Sequence, residues 1–89
     1  MIHLKSAREI EKIRASCRIA AEAMAEGVQD VRPGVTTAQL DQVADSYIRS
    51  KGGTPSAKGY RGYPKSICVS VNEEVVHGIP GDLLLVEGD

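Results

Sequence analysis

The sequence predicts an α+β fold, with two helices packed on one face of a small, mostly antiparallel sheet. Three features carry the expectation: two stretches whose apolar residues recur at spacings of three and four, a capping box at the head of each, and a strictly alternating stretch just before residue 72.

Ser6-Ala-Arg-Glu9 is the first capping box, so a helix should begin at Ala7. Ile10, Ile13, Cys17, Ala20, Met24, Val28 and Val31 then form one stripe, which is expected to face a core, with Cys17 inside it. Glu11, Arg14, Arg18, Glu22 and Glu26 take the opposite side, and Arg32-Pro33-Gly34 ends the helix near Val31. Thr36-Thr-Ala-Gln39 repeats the capping logic for a second helix, whose apolar face is Leu40, Val43, Ala44, Tyr47 and Ile48 and which closes at Gly52-Gly53.

Thr54 to Lys65 holds two Pro, two Gly and two Tyr without a helical or alternating period, the pattern of a surface loop of functional length. Ser66 to Val71 alternates, with Ile67, Val69 and Val71 on one face, and reads as a half-buried strand. Asn72-Glu73-Glu74 is a turn. Val75-Val76-His77 starts a second short strand, Gly78-Ile79-Pro80-Gly81 breaks it, and Leu83 to Val86 leads into a final turn. Two or three strands under two helices would leave strand edges and one sheet face without cover.

A chain of 89 residues is about one small domain. With 42% hydrophobic and 26% charged residues, its composition is that of a globular protein and argues against disorder. Three Tyr, no Phe and no Trp leave a thin core of aliphatic side chains. Eleven basic residues against twelve acidic ones give a net charge of −1, which offers no general grip on nucleic acid or on an anionic membrane. Leu83 to Val86 is far shorter than the roughly 20 apolar residues of a membrane span, and no secretory h-region follows Met1. Cys17 and Cys68 form no C-x-x-C pair, so reduced thiols and a cytoplasmic location are expected.

Read from the residues, His77 at a strand end is either a turn histidine or a catalytic group. Cys68 with His77 could pair as nucleophile and base, but the sequence shows no third group to orient the base. Glu73, Glu74, His77 and Asp82 match no closed zinc spacing. Gly59-Tyr-Arg-Gly-Tyr-Pro-Lys65 interleaves aromatics with cations, the composition of a small RNA-stacking surface, or else simply shapes a turn.

The stretch from Gly59 to Pro80, Gly-Tyr-Arg-Gly-Tyr-Pro-Lys-Ser-Ile-Cys-Val-Ser-Val-Asn-Glu-Glu-Val-Val-His-Gly-Ile-Pro, resembles the signature of type I methionine aminopeptidases. Ile2 to Arg14 resembles the opening of that family's catalytic domain, and Pro33-Gly-Val-Thr-Thr37 its helix-to-helix turn, so the likeness runs over essentially the whole chain.

The resemblance implies a pita-bread fold of two pseudo-symmetric halves, with residues 1–89 as the N-terminal half of the catalytic domain. It implies removal of the initiator Met from nascent polypeptides, in the cytoplasm and near the ribosome, without a membrane or a specific nucleic acid as partner. It also implies two divalent metal ions (Co, Mn, Fe, Zn or Ni) in the intact enzyme. Their ligands, two Asp, one His and two Glu, would lie beyond the Gly88-Asp89 pair, so that the chain binds neither ion by itself.

His77 matches the family histidine that contacts the scissile amide. Tyr60, Tyr63 and Cys68 match walls of the pocket for the Met side chain, and Ala57 replaces a Cys common in bacterial members. Asn72 and Glu74 match positions that offer backbone carbonyls to a monovalent cation. The expected partner is the missing C-terminal half, or a second copy in its absence. A metal-free peptide-binding adaptor and an RNA-contacting fragment are the alternative readings, and the coding sequence after Asp89 would separate truncation from adaptor.

Overall fold

The computed structural model describes residues 2–89. Helix α1 spans Ala7–Gln29 and α2 spans Thr37–Ser50, followed by a single 3-10 turn at Tyr60–Gly62. Both capping boxes form: the Ser6 hydroxyl accepts the Glu9 amide at 3.2 Å, the Thr36 hydroxyl accepts the Gln39 amide at 3.1 Å, and the Glu9 and Gln39 side chains accept the cap amides in return. α1 stops two residues before Val31, with Asp30 as its C-cap. α2 ends as the Gly-Gly pair predicts. Gly52 takes φ +81°, its amide donates to the Arg49 carbonyl, and the Gly53 amide donates to Ile48, the paired bonds of a Schellman motif.

α1 packs on α2 through small residues, Ala23 and Ala44 being buried, and the larger buried cluster is Val35, Leu40 and Leu85 with Val71 against it. Burying each of those aliphatic side chains is worth about 1.5–3 kcal/mol. The core therefore sits at the start of α2 and leaves most of the α1 stripe uncovered. Met24 is 72% exposed and Val28 64%, Ile10, Ile13 and Val31 are also exposed, and Cys17 is exposed rather than in the core.

The expected sheet does not form among the described residues. One isolated antiparallel bridge, Thr36 to Leu84, is the only β pairing they contain. The reason lies in where the backbone donors go. In the alternating stretch, the Ser66 and Ile67 amides donate to the Asp41 carboxylate, the Val71 amide donates to the Glu74 carboxylate, and the Val69 amide donates to the Gly78 carbonyl. Each side-chain acceptor removes a rung that a ladder would have used. Val75 and Val76 point into solvent instead of forming the second strand. Residues 81–85 pair with the connection between the helices: the Leu85 amide donates to the Val35 carbonyl at 2.8 Å, the Gly34 amide donates to Leu85, and the Thr37 amide donates to Leu83. That pairing draws Leu85 into the core beneath α2.

The result is an open molecule. Its radius of gyration is 14.9 Å, against about 12 Å for a compact domain of this length. Its accessible surface is 6753 Å², against roughly 5,000 Å² for a folded monomer of its mass.

Candidate functional site

The loop after α2 closes on itself. Gly59 takes φ +83° and its amide donates to the Tyr63 carbonyl at 2.7 Å, while the Tyr60 amide donates to Ala57 and the Tyr63 amide to Tyr60. This knuckle sends the two tyrosines in different directions. Tyr60 stays exposed with the Arg61 guanidinium 5.3 Å from its ring centre. Tyr63 is half-buried, and its hydroxyl donates to the Ile67 carbonyl at 2.8 Å, with a longer approach of 3.5 Å to the Gly78 carbonyl.

Tyr63 also lies beside Cys68. Loss of water around the phenol pushes its pKa up to about 12, and the neighbouring Cys68 thiol and the Asp41 carboxylate add to the rise. Cys68 itself is a free, exposed thiol on the wall of a groove of about 720 Å³ between α1 and residues 66–69. Ala57 lines the same groove, and Tyr60, Tyr63 and His77 do not.

His77 is exposed and holds φ +56°, a left-handed conformation uncommon for a residue with a side chain. Its neighbour explains how that conformation is held. Gly78 is buried, its amide donates to the Ser70 hydroxyl at 3.1 Å, and its carbonyl accepts the Val69 amide at 2.9 Å. The structure thus brings Tyr63, Cys68 and the residue after His77 together through the backbone of 67–69, and leaves Tyr60 on the outside of the knuckle.

Asn72 sits in the expected turn with φ +52°, and its side-chain amide donates to Asp89 Oδ1 at 2.9 Å. Asp89 Oδ2 accepts the Val86 amide, and these two bonds hold the Asp89 carboxyl below the usual range. Glu74 Oε1 accepts the Val71 amide at 2.8 Å. Both side chains brace the turn. Among the described residues no three His, Cys, Asp or Glu side chains converge as a bound metal would need, so a divalent pair does not fit the side chains present.

Two site-forming residues are missing from the sequence-based expectation. Asp41 is buried on α2 with its Oδ1 taking both the Ser66 and Ile67 amides. Asp45, one turn further along, accepts the Ser66 hydroxyl at 2.7 Å and pairs with Arg49 and Lys58. The signal for Asp41 is its register: four residues after Thr37 and three before Ala44, it lies on the buried side of the helix.

Residues 11–89 match the family described as Metallopeptidase family M24. The chain is 48% identical over 89 residues to "Methionine aminopeptidase 1" of Bacillus subtilis (strain 168), covering 100% of this chain and 36% of that protein. It is 50% identical over 80 residues to "Methionine aminopeptidase 2" of Mycobacterium tuberculosis, covering 90% of this chain and 28% of that one. A crystal structure of methionine aminopeptidase from Rickettsia prowazekii superposes with a TM-score of 0.94 at 39% identity, over 99% of this chain and 36% of the other. The chain thus spans about a third of the length of these relatives, and within that span it has their fold. With nearly all of its residues matched, the chain belongs to metallopeptidase family M24.

Proposed function

We propose that residues 1–89 form the N-terminal part of a methionine aminopeptidase catalytic domain of pita-bread fold, acting on the N-terminal peptide of nascent polypeptides close to the ribosome. The observation that carries this reading is the 48% identity to a methionine aminopeptidase along the whole chain. In it, Tyr60, Tyr63 and Cys68 wall the pocket for the Met side chain, and Ala57, in place of the Cys common in bacterial members, makes that wall smaller. The half-buried phenol and the adjacent thiol suit an apolar, polarizable side chain such as methionine's.

His77 contacts the scissile amide and stabilises charge that develops on its oxygen. Its left-handed backbone and the bonds at Gly78 fix where the imidazole starts. The backbone carbonyls of Asn72 and Glu74 hold a monovalent cation. The family implies divalent metals for the intact enzyme, and in this reading the residues of this chain bind and orient the peptide.

A chimaera tests the reading: this chain replaces the matching 36% of the Bacillus subtilis relative, and release of Met from a Met-Gly peptide is followed with added Co(II). The expected result is turnover, with His77→Ala lowering kcat by about 10²–10³ and changing KM little. A folded but inactive chimaera, or an unchanged kcat for His77→Ala, would overturn it.

A further inference from the structure

The buried carboxylate of Asp41 has an unusual set of partners. It is 4% exposed, and the described residues give it two consecutive backbone amides, Ser66 at 2.8 Å and Ile67 at 2.9 Å, and no cation. Burying a carboxylate is costly unless hydrogen bonds satisfy it, so the peptide between Ser66 and Ile67 is held firmly in one orientation. The Ile67 carbonyl belongs to the next peptide unit, so only the torsions of Ile67 itself lie between the clasped amide and the carbonyl that accepts the Tyr63 hydroxyl. Cys68 is the next residue. The Tyr63 hydroxyl in turn approaches the carbonyl of Gly78, the residue after His77.

We infer that Asp41 is a positioning residue for the substrate pocket: by holding the Ser66 and Ile67 amides it places the residue whose carbonyl takes the Tyr63 hydroxyl, and so aligns Tyr63 and Cys68 against the Gly78 backbone beside His77. The inference rests on the reading of Tyr63, Cys68 and His77 as pocket residues. Asp45 grips the same segment differently, through the Ser66 hydroxyl, and is itself engaged by Arg49 and Lys58. It takes neither the Ser66 nor the Ile67 amide.

The test compares Asp41→Asn, Asp45→Asn and Tyr63→Phe in the full chain by NMR, with L-methioninamide as the probe. Asp41→Asn is expected to keep its helical circular dichroism, to lower protection of the Ser66 and Ile67 amides by about tenfold or more, to shift the Tyr63 and Cys68 signals, and to weaken methioninamide binding. Asp45→Asn is expected to leave the Tyr63 and Cys68 signals and the binding in place. A folded Asp41→Asn chain that loses amide protection with the pocket signals and binding unchanged would overturn the inference. If methioninamide fails to bind the parent chain while Asp41→Asn still displaces Tyr63 and Cys68, the pocket reading falls and the alignment stands. Should Asp41→Asn not fold, Tyr63→Phe cuts the same relay further along: Gly78 and His77 signals should move with Ser66 and Ile67 still protected, and unmoved signals would overturn it.

Discussion

The Gly78 carbonyl accepts the Val69 amide at 2.9 Å, and the same approach leaves no room for a side chain, because a Cβ at position 78 would collide with the Val69 carbonyl oxygen. Rigid backbone on both sides means the clash cannot be relieved by turning a side chain. Gly78→Ala is therefore expected to destabilise the chain by about 1–3 kcal/mol. Gly27, inside α1, has open space out to 4 Å around the point where a methyl group would stand, and gives the opposite sign. Gly27→Ala should stabilise by roughly 0.5–1 kcal/mol. Urea melts followed by far-ultraviolet circular dichroism report both.

His77 separates stability from function. At φ +56° a side chain carries a conformational cost that glycine does not. His77→Gly should hold stability level or raise it by up to about 1 kcal/mol, while His77→Val, β-branched, should lower it. The same melts decide, and a clear loss for His77→Gly would mean that the imidazole itself braces the fold.

Two groups give the chain opposite pH limits. The Ser66 hydroxyl, with Arg49 and Lys58, holds the Asp45 carboxyl below its usual range against the opposing effect of burial. A lowered folded pKa contributes stability that is present above the unfolded value near 4 and lost as pH falls through the folded one. Asp45→Asn should flatten the acid limb of the urea midpoint. Tyr63, raised to about 12, behaves in reverse: its contribution is full below the unfolded value near 10 and is lost as pH rises toward 12. Tyr63→Phe should remove that part of the alkaline limb.

The uncovered α1 stripe is expected to make the chain self-associate. Its surface exceeds that of a compact monomer by more than the roughly 800 Å² that one partner buries in a standard interface, and Met24, Val28 and Val31 are exposed along the groove. Sedimentation of the parent chain should show mass rising with concentration, and a Met24→Lys, Val28→Lys double variant should stay monomeric. A parent that is monomeric throughout would show that the stripe needs no partner.

The helices were legible because their determinants are local: a capping box and a Gly-Gly stop act within a few residues of the ends they set. The sheet was not, although Ser66 to Val71 alternates cleanly, because Asp41 and Glu74 compete for its amides and alternation carries no record of such competitors. The core was misplaced for a related reason. Periodicity shows that Ile10 through Val31 share a face, but not whether anything covers it. Of the candidate site, Tyr63, Cys68 and His77 are read from the Gly59 to Pro80 motif, whereas the register of Asp41 marks only its side of α2; the amides it holds lie 25 and 26 positions away, and that pairing appears only in three dimensions.

Residues 7–18 are exposed on every side, so this segment is held by its own backbone bonds and a single capping box. A helix of that length is marginal without packing, and it should open locally long before the remainder unfolds. Arg8, Lys12, Arg14 and Arg18 all fall within it. Trypsin should therefore nick these bonds first and trim the chain to a product beginning at Ile19, while Arg49, whose guanidinium is bonded to Asp45 on the packed helix α2, is cut later.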